Sequence, residues 1–155
     1  MGIQDLTELF QIYSWIKEFN ANFGTNLKFV VDTDTQKSRN LILINPDNGQ
    51  FKKVDYLTLE QAQEFKNSGF LMFVPDLLDL KNKLIVEYQE EQKPNKGYFH
   101  AKITKKGHDE LSDELKDLAY QKAGFLQLKL WENQPDKKNK LDLFEFLFTF
   151  IKRKT

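Results

Sequence analysis

The chain contains no cysteine, which excludes disulfide bonds, thiolate zinc sites and catalysis by a thiol. It also has no net charge, because 23 Lys and Arg residues balance 23 Asp and Glu residues. A balanced chain has no overall field that attracts nucleic acid or an anionic membrane, so contact with nucleic acid requires a local patch. The simplest expectation from these absences is a cytoplasmic protein.

Long apolar runs are also missing. No stretch approaches 18 continuous apolar residues, and the most apolar one, over residues 141–151, is short and interrupted by acids. The first ten residues lack the basic stretch and apolar core of a signal peptide. We therefore expect no contact with a membrane.

Motifs that bind cofactors or build common active sites are absent as well. The sequence has no G-x-G-x-x-G, G-x-x-x-x-G-K-[ST] or G-x-S-x-G. Its two histidines, His100 and His108, have no third ligand at a metal-binding spacing. The sequence thus predicts no cofactor and no metal site, and it offers no positive sign of an enzyme.

The residues that are present predict a folded protein. Of the 155 residues, 40% are hydrophobic and fourteen are Phe, which is too apolar for a disordered chain even at a mean hydropathy of −0.60. The length suits one domain with its own core. We expect a single compact domain over residues 1–155.

Apolar periodicity predicts an α+β fold that opens with a helix and continues with a three-stranded antiparallel meander. The first helix covers residues 5–20 and ends at Gly24. A second helix begins with a capping box formed by Thr58 and Gln61. The predicted strands of this half are residues 27–31, 41–44, 50–56 and 70–74.

The second half predicts alternating helices and strands. Residues 76–91 fit either one long helix or a helix followed by a strand, since apolar residues occur at both spacings. The remaining predictions are a strand at 97–104, a helix at 109–122, a strand at 125–131 and a helix at 141–152.

Residues 77–118 combine a helix, a strand, a basic turn, a strand and a helix, which is the order of a winged-helix module. Residues 80–85 and 99–111 resemble the sequence motifs that flank the wing of winged-helix regulators. The resemblance implies a DNA-binding regulator whose wing follows a phosphate backbone and whose terminal helices form a dimer.

The same region carries a local excess of cations. Residues 81–106 hold seven Lys and three Glu. These lysines are the candidate binding residues for a protein or for nucleic acid: Lys81, Lys83, Lys93, Lys96, Lys102, Lys105 and Lys106.

A second resemblance concerns PD-(D/E)xK nucleases, whose core also has the order helix, three strands, helix, strand. Such enzymes need carboxylates to hold a metal ion and a lysine to position or activate water. The candidate acid pairs are Asp47 with Asp55, and Asp76 with Glu91, the latter followed by Lys93.

Aromatic residues are the last conspicuous feature. The final helix is apolar on most of its circumference, so Phe144, Phe148 and Ile151 are candidates for a hydrophobic interface. The leading prediction is a non-enzymatic protein that binds another protein, of the accessory, immunity or inhibitor type found in bacteria and mobile elements. A winged-helix DNA-binding regulator and a metal-dependent nuclease are the alternatives, and a homodimer is possible.

Overall fold

The computed structural model describes residues 6–31, 40–89, 102–103, 109–110 and 113–154. These residues form an α+β fold, as the sequence predicts. In chain order the elements are α1 (Leu6–Phe23), β1 (Val30–Val31), β2 (Ile42–Ile44), β3 (Phe51–Lys53), α2 (Leu59–Asn67), β4 (Leu71–Phe73), β5 (Leu77–Asp79), β6 (Leu84–Gln89), β7 (Lys102–Ile103), β8 (Asp109–Glu110), α3 (Asp113–Lys122), β9 (Leu126–Trp131) and α4 (Asp136–Lys154).

The main sheet has the strand order β1-β5-β6-β9. β5 pairs antiparallel with both β1 and β6, whereas β9 runs parallel to β6. A parallel pair requires a crossover, and α3 lies on the path from β6 to β9. Leu84, Ile85 and Val86 of β6 are buried, as is typical of a central strand covered on both faces.

Helices α1 and α4 cover one face of the main sheet. α1 buries one stripe at helical spacing, and α4 does the same with Leu143, Phe146, Leu147 and Phe150. The buried residues of α1 are Leu9, Ile12, Trp15, Ile16 and Phe19. The two stripes pack together with Leu84 and Val86 into one core, so the predicted first and last helices are confirmed.

A second, antiparallel sheet lies beyond the opposite face, with the order β3-β2-β4. Ile42 and Ile44 pack with Ile85 of the main sheet and with Tyr120 of α3. Leu43 on the other side packs with Ala62 of α2. The predicted three-stranded antiparallel sheet is confirmed, with β4 as its third strand, while β1 joins the main sheet instead.

Residues 76–91 contain no helix within the described part of the chain. Two strands, β5 and β6, are joined by a tight turn over residues 80–83, in which Lys83 adopts a left-handed φ of 56°. Asp79 accepts hydrogen bonds from the backbone N–H and the side-chain amide of Asn82 at 3.1 and 2.8 Å. Both predictions for this segment, one long helix or a helix before a strand, are therefore wrong in their helical part.

Two helix starts also differ from prediction. α3 begins at Asp113 because residues 109–110 form β8, and α4 begins at Asp136, before the apolar stretch that the sequence marks. The added first turn of α4 is anchored by buried Asn139, whose side chain bonds to both the N–H and the carbonyl of Trp131.

Across the parts of the chain that the structure describes, no helix combines the length and the apolar content that a membrane span requires.

Candidate active site

Among the residues that the structure describes, three acidic side chains are buried in or beside the main sheet. Asp76 is 4% exposed and immediately precedes β5, Asp79 ends the same strand, and Glu87 is 5% exposed within β6. Asp79 is committed to the turn with Asn82, which is a structural role. Burial of a carboxylate is costly unless its charge is compensated, so Asp76 and Glu87 are the candidate functional acids.

Asp76 is held in position at two points. Its Oδ2 accepts a hydrogen bond from the backbone N–H of Tyr88, on the neighbouring strand, at 2.7 Å. The side-chain amide of buried Asn40 donates to the carbonyl oxygens of Pro75 and Asp76 at 2.9 Å each. Continuing the antiparallel register of β5 and β6 by one residue places Asp76 opposite Glu87.

Glu87 has neutral partners in the described part of the chain. Tyr120 donates its hydroxyl to Oε1 at 3.1 Å, and Gln127 donates its amide to Oε2 at 3.1 Å. No salt bridge to Glu87 occurs among the described residues. Two hydrogen bonds fix its orientation but leave its negative charge without a balancing cation there.

Tyr120 lies at the centre of the acidic side chains. Its complete burial raises its pKa well above the ordinary value, and the negative charge and hydrogen bond of Glu87 raise it further. The charges of Asp76 and Asp117 act in the same direction, so these carboxylates lie near one hydroxyl. Tyr120 therefore stays protonated and remains a donor to Glu87.

A lysine occupies the adjacent strand. The parallel register pairs Glu87 of β6 with Lys129 of β9, and Ile85 with Gln127. Paired residues in neighbouring strands project from the same face of a sheet. The Lys129 ammonium lies 3.2 Å from a carboxylate oxygen of Asp117 in α3. The order across the sheet is thus Asp76, Glu87, Lys129.

Two carboxylates of this kind fit Mg²⁺ or Mn²⁺, hard cations that prefer oxygen ligands. Mg²⁺ keeps most of its waters and commonly takes only one or two protein carboxylates together with substrate phosphates. Groups of three or more His, Cys, Asp or Glu suited to a metal are absent from the residues that the structure describes. The two carboxylates thus supply oxygen donors of the kind that Mg²⁺ prefers, and they are too few for a closed structural site.

The sequence-predicted site residues are dispersed. Lys81 and Lys83 lie in the turn between β5 and β6, Lys102 lies in β7, and Asp47 and Asp55 are exposed. The Lys83 ammonium lies 5.1 Å from the ring centre of Phe51. The candidates that fall outside the described residues are Glu91, Lys93, Lys96, Lys105 and Lys106.

The predicted hydrophobic interface residues lie on α4. Phe144 and Ile151 are partly buried against the core shared with α1, and Phe148 is 37% exposed. The ring centre of Phe148 lies 4.5 Å from that of Phe23, which is 44% exposed.

Sequence reasoning missed Glu87, Tyr120, Gln127 and Lys129. An acid directly after the apolar run Leu84, Ile85 and Val86 is a signal that could have identified Glu87. For Lys129, the alternation of side chains along its strand indicates which residues share a face of the sheet. It does not indicate which strand lies beside it, so the sequence gives no sign that Lys129 is next to Glu87.

The helix that a winged-helix module requires before its wing is replaced by β5. The residues of the wing tip, 90–101, lie outside the described residues. The winged-helix resemblance and the DNA-binding role that it implies stay predictions.

Comparison with known proteins gives no match to a protein-family model, to a curated protein or to a solved structure. The fold and the row of acids and lysine are therefore the basis for a functional hypothesis.

Proposed function

We propose that the protein is a metal-dependent phosphodiester hydrolase that resembles PD-(D/E)xK nucleases. The observation that carries the proposal is the row formed by Asp76 immediately before β5, Glu87 in β6 and Lys129 in β9, three neighbouring segments of the main sheet. That sheet also supports the resemblance, because α1, β1, β5, β6, α3 and β9 follow the order helix, three strands, helix, strand. The second sheet is an insertion between β1 and β5.

In this hypothesis Asp76 and Glu87 hold the divalent cation. Backbone and side-chain donors fix the two carboxylates, so little reorganisation accompanies binding. When bound, the cation supplies Lewis-acid stabilisation of the phosphoryl oxygens. Gln89, two residues after Glu87, occupies the position where the nuclease motif has lysine.

Lys129 is the lysine available beside Glu87. Its ammonium donates to Asp117, which holds it against α3 on the side of the sheet where Tyr120 meets Glu87. An ammonium there can orient a water molecule or stabilise charge on a phosphate oxygen. Removal of the Asp117 contact is expected to leave the Lys129 side chain less well oriented.

The test is cleavage of labelled single-stranded DNA, duplex DNA and RNA in Mg²⁺, Mn²⁺ or EDTA. We expect cleavage of at least one substrate with either metal and none in EDTA. Glu87→Gln, Asp76→Asn and Lys129→Met each remove one proposed function and should abolish the metal-dependent activity. The matched control is Asp47→Asn, which neutralises an exposed acid of the alternative pair and should leave cleavage unchanged.

Two results would contradict the proposal. One is a wild-type protein without metal-dependent cleavage of any of the three substrates. The other is cleavage that survives in Glu87→Gln but is lost in the control variant, which would transfer the site to Asp47 and Asp55.

A second candidate function is binding of another protein through the aromatic surface formed by Phe23 and Phe148. Both rings are substantially exposed although they contact one another, and aromatic side chains anchor many protein interfaces. This is the accessory, immunity or inhibitor role that the composition predicts.

The test is retention of a discrete protein from a nuclease-treated bacterial lysate. Phe23→Ser combined with Phe148→Ser should lose the retained protein, while Phe10→Ser, which alters another exposed ring of α1, should keep it. Equal retention by both variants, or no retained protein, would contradict this second proposal.

A further inference from the structure

A cleft of about 410 Å³ opens at the edge of the main sheet, beside β1 and the turn between β5 and β6. Its polar lining comes from three separate parts of the chain. Asn26 and Lys28 precede β1, Lys53 ends β3, and Lys81 and Asn82 belong to the turn. The volume is within the range of about 300–1,000 Å³ common for ligand sites, and the lining includes neither Asp76 nor Glu87.

The described residues that line this cleft carry a net positive charge. Three lysines line it against one acid, Asp79, and both carboxylate oxygens of Asp79 accept hydrogen bonds from Asn82. A further cation stands beside it, because the Lys154 ammonium donates to the side-chain oxygen of Asn82 at 3.0 Å. Among the described residues, Lys53 also has fully exposed Asp55 beside it, at 3.8 Å. Among the described residues, an anion entering the cleft thus meets several cations, one lining acid that is bound to Asn82, and the exposed Asp55 beside Lys53.

Lys53 is partly withdrawn from water. Burial lowers its pKa, although the charge and hydrogen bond of Asp55 oppose that shift. Its ammonium donates to the carbonyl of Val54 at 3.0 Å and retains further donors. A ligand anion would replace the solvation that this ammonium has lost.

We infer that the cleft binds phosphate groups of a nucleic-acid strand and forms part of the substrate-binding surface of the proposed nuclease. The inference rests on the proposed function for the identity of the strand as substrate. Lysine ammonium groups and asparagine amides are donors that proteins commonly direct at the sugar-phosphate backbone. Lys28, Lys53 and Lys81 converge in a concave site, which suits a chain of phosphates better than the flat surface of a bilayer.

The experiment measures binding of a fluorescein-labelled single strand of about 20 nucleotides, and of the matching duplex, by anisotropy in EDTA. Lys28→Ala combined with Lys53→Ala and Lys81→Ala should weaken binding at least about tenfold at low salt. It should also reduce the slope of log K against log salt by about 2 for the single strand, since each lost phosphate contact contributes about 0.7. The matched control removes three exposed lysines elsewhere, Lys17, Lys122 and Lys137, and should bind within about twofold of wild type.

A second variant tests the inference even if the triple variant does not fold. Lys28 and Lys81 are both exposed, so Lys28→Ala with Lys81→Ala should fold normally and still lower the salt slope by about 1.4. An equal loss of nucleic-acid affinity in the cleft and control variants would overturn the inference, and so would a wild type that does not bind. So would binding to vesicles of anionic lipid that depends on the three lysines while nucleic-acid binding does not.

The experiments distinguish an error in the cleft inference from an error in the proposed function. Glu87→Gln should bind the strand in EDTA as wild type does, because Glu87 does not line the cleft. If Glu87→Gln loses cleavage while the cleft variant binds normally, the nuclease proposal stands and the cleft inference is wrong. If Glu87→Gln still cleaves while the cleft variant no longer binds, the cleft stands and the assignment of the catalytic acids is wrong.

Discussion

Glu87 places a carboxylate in the interior of the main sheet, where its partners among the described residues are the neutral donors Tyr120 and Gln127. Within that part of the chain, the buried charge gains two hydrogen bonds and no ion pair. Residues that contribute only to stability seldom have this arrangement, because an apolar side chain would fill the same space at lower cost. At the scale of the residue, this cost is the reason that the proposed function assigns Glu87 to the metal site.

The Tyr120 hydroxyl links this charge to the stability of the fold. We expect Tyr120→Phe to lower the free energy of unfolding by about 1–3 kcal/mol at pH 7, because it leaves a buried acceptor without its donor. The pKa of Tyr120 is raised in the folded protein, so the unfolded chain loses its proton first as pH rises. The stabilisation is fully present below about pH 10 and declines above that value, by up to about 1.4 kcal/mol per pH unit.

Urea denaturation of wild type and Tyr120→Phe from pH 7 to 11 tests this expectation. Tyr13 and Tyr88 also have raised pKa values, caused chiefly by burial. Tyr120→Phe should therefore still lose some stability as the pH rises above about 10, but less than wild type. A difference between the two proteins that grows above pH 10, instead of shrinking, would contradict the assignment.

Gly49 is a residue whose substitution affects two elements. It has a φ of +78°, and an added Cβ would lie 2.2 Å from the carbonyl oxygen of Lys122 in α3. Gly24 has a similar φ of +65° with nothing within 4 Å of an added Cβ. Gly24→Ala should therefore cost only the backbone strain of about 1–2 kcal/mol, and Gly49→Ala should cost clearly more.

Denaturation midpoints of the two alanine variants give this comparison directly. Equal losses would mean that the turn before β3 moves away from α3 without penalty.

At the scale of the elements, α1 and α4 are held together by aromatic rings. Phe19 is completely buried, and its ring centre lies 4.7 Å from that of Phe23 and 5.3 Å from those of Phe144 and Phe148. Phe19→Ala should lower the free energy of unfolding by about 3–5 kcal/mol, since it removes a large core side chain and leaves a cavity. Phe10→Ala on the same helix, where the ring is 65% exposed, should change it by less than about 0.5 kcal/mol.

Chemical denaturation of both variants checks the packing of this helix pair. A similar loss for Phe10→Ala would indicate that its ring is covered, for example by a second protein chain.

The same scale explains which elements the sequence reveals. α1 could be predicted because its apolar stripe repeats at helical spacing over five turns, and α2 because Thr58 and Gln61 form both bonds of the capping box. The strands within residues 76–91 could not be predicted, because Leu77, Leu80, Leu84 and Tyr88 also fit the spacing of a helix. The decisive feature is the turn between β5 and β6, where Lys83 adopts a left-handed backbone that few sequence rules anticipate.

The candidate site depends on pairings that local sequence does not specify. The sequence pairs Asp76 with Glu91 because Pro75-Asp76 and Glu91-Gln92-Lys93 match the letters of the nuclease motif, and Glu91 lies outside the described residues. Glu87 comes opposite Asp76 only through the pairing of β5 with β6. Lys129 becomes a neighbour of Glu87 only through the parallel pairing of β6 with β9, across a separation of 42 residues. Pairings of this length are fixed by the assembly of the whole sheet.

At the scale of the whole molecule, the layered architecture brings distant residues to two places on the main sheet. α3 presses Tyr120 onto Glu87 from one side, while α1 and α4 fill the other face with apolar side chains. The edge of the same sheet gathers Lys28, Lys53 and Lys81. An acid site inside the sheet and a cationic cleft at its edge suit a protein that acts on a polyanion by means of a metal ion.

A metal that binds only the folded protein must raise its melting temperature, so Mn²⁺ tests the acid site apart from catalysis. At a concentration of 100 Kd the stabilisation is about 2.7 kcal/mol, which corresponds to about 5–11 °C for a chain of this size. Glu87→Gln should lose this rise and, in EDTA, melt no lower than wild type, because an amide replaces a buried carboxylate.

Asp79→Asn is the matched control for that experiment, since it neutralises a buried acid of the same sheet that is bound to Asn82. It should melt below wild type in EDTA, because Asp79 holds the turn between β5 and β6, yet it should keep the full rise with Mn²⁺. Thermal unfolding followed by circular dichroism measures both quantities for all three proteins. An equal rise in Glu87→Gln and wild type would mean that the cation binds elsewhere, and the two carboxylates would then have to be explained by structure alone.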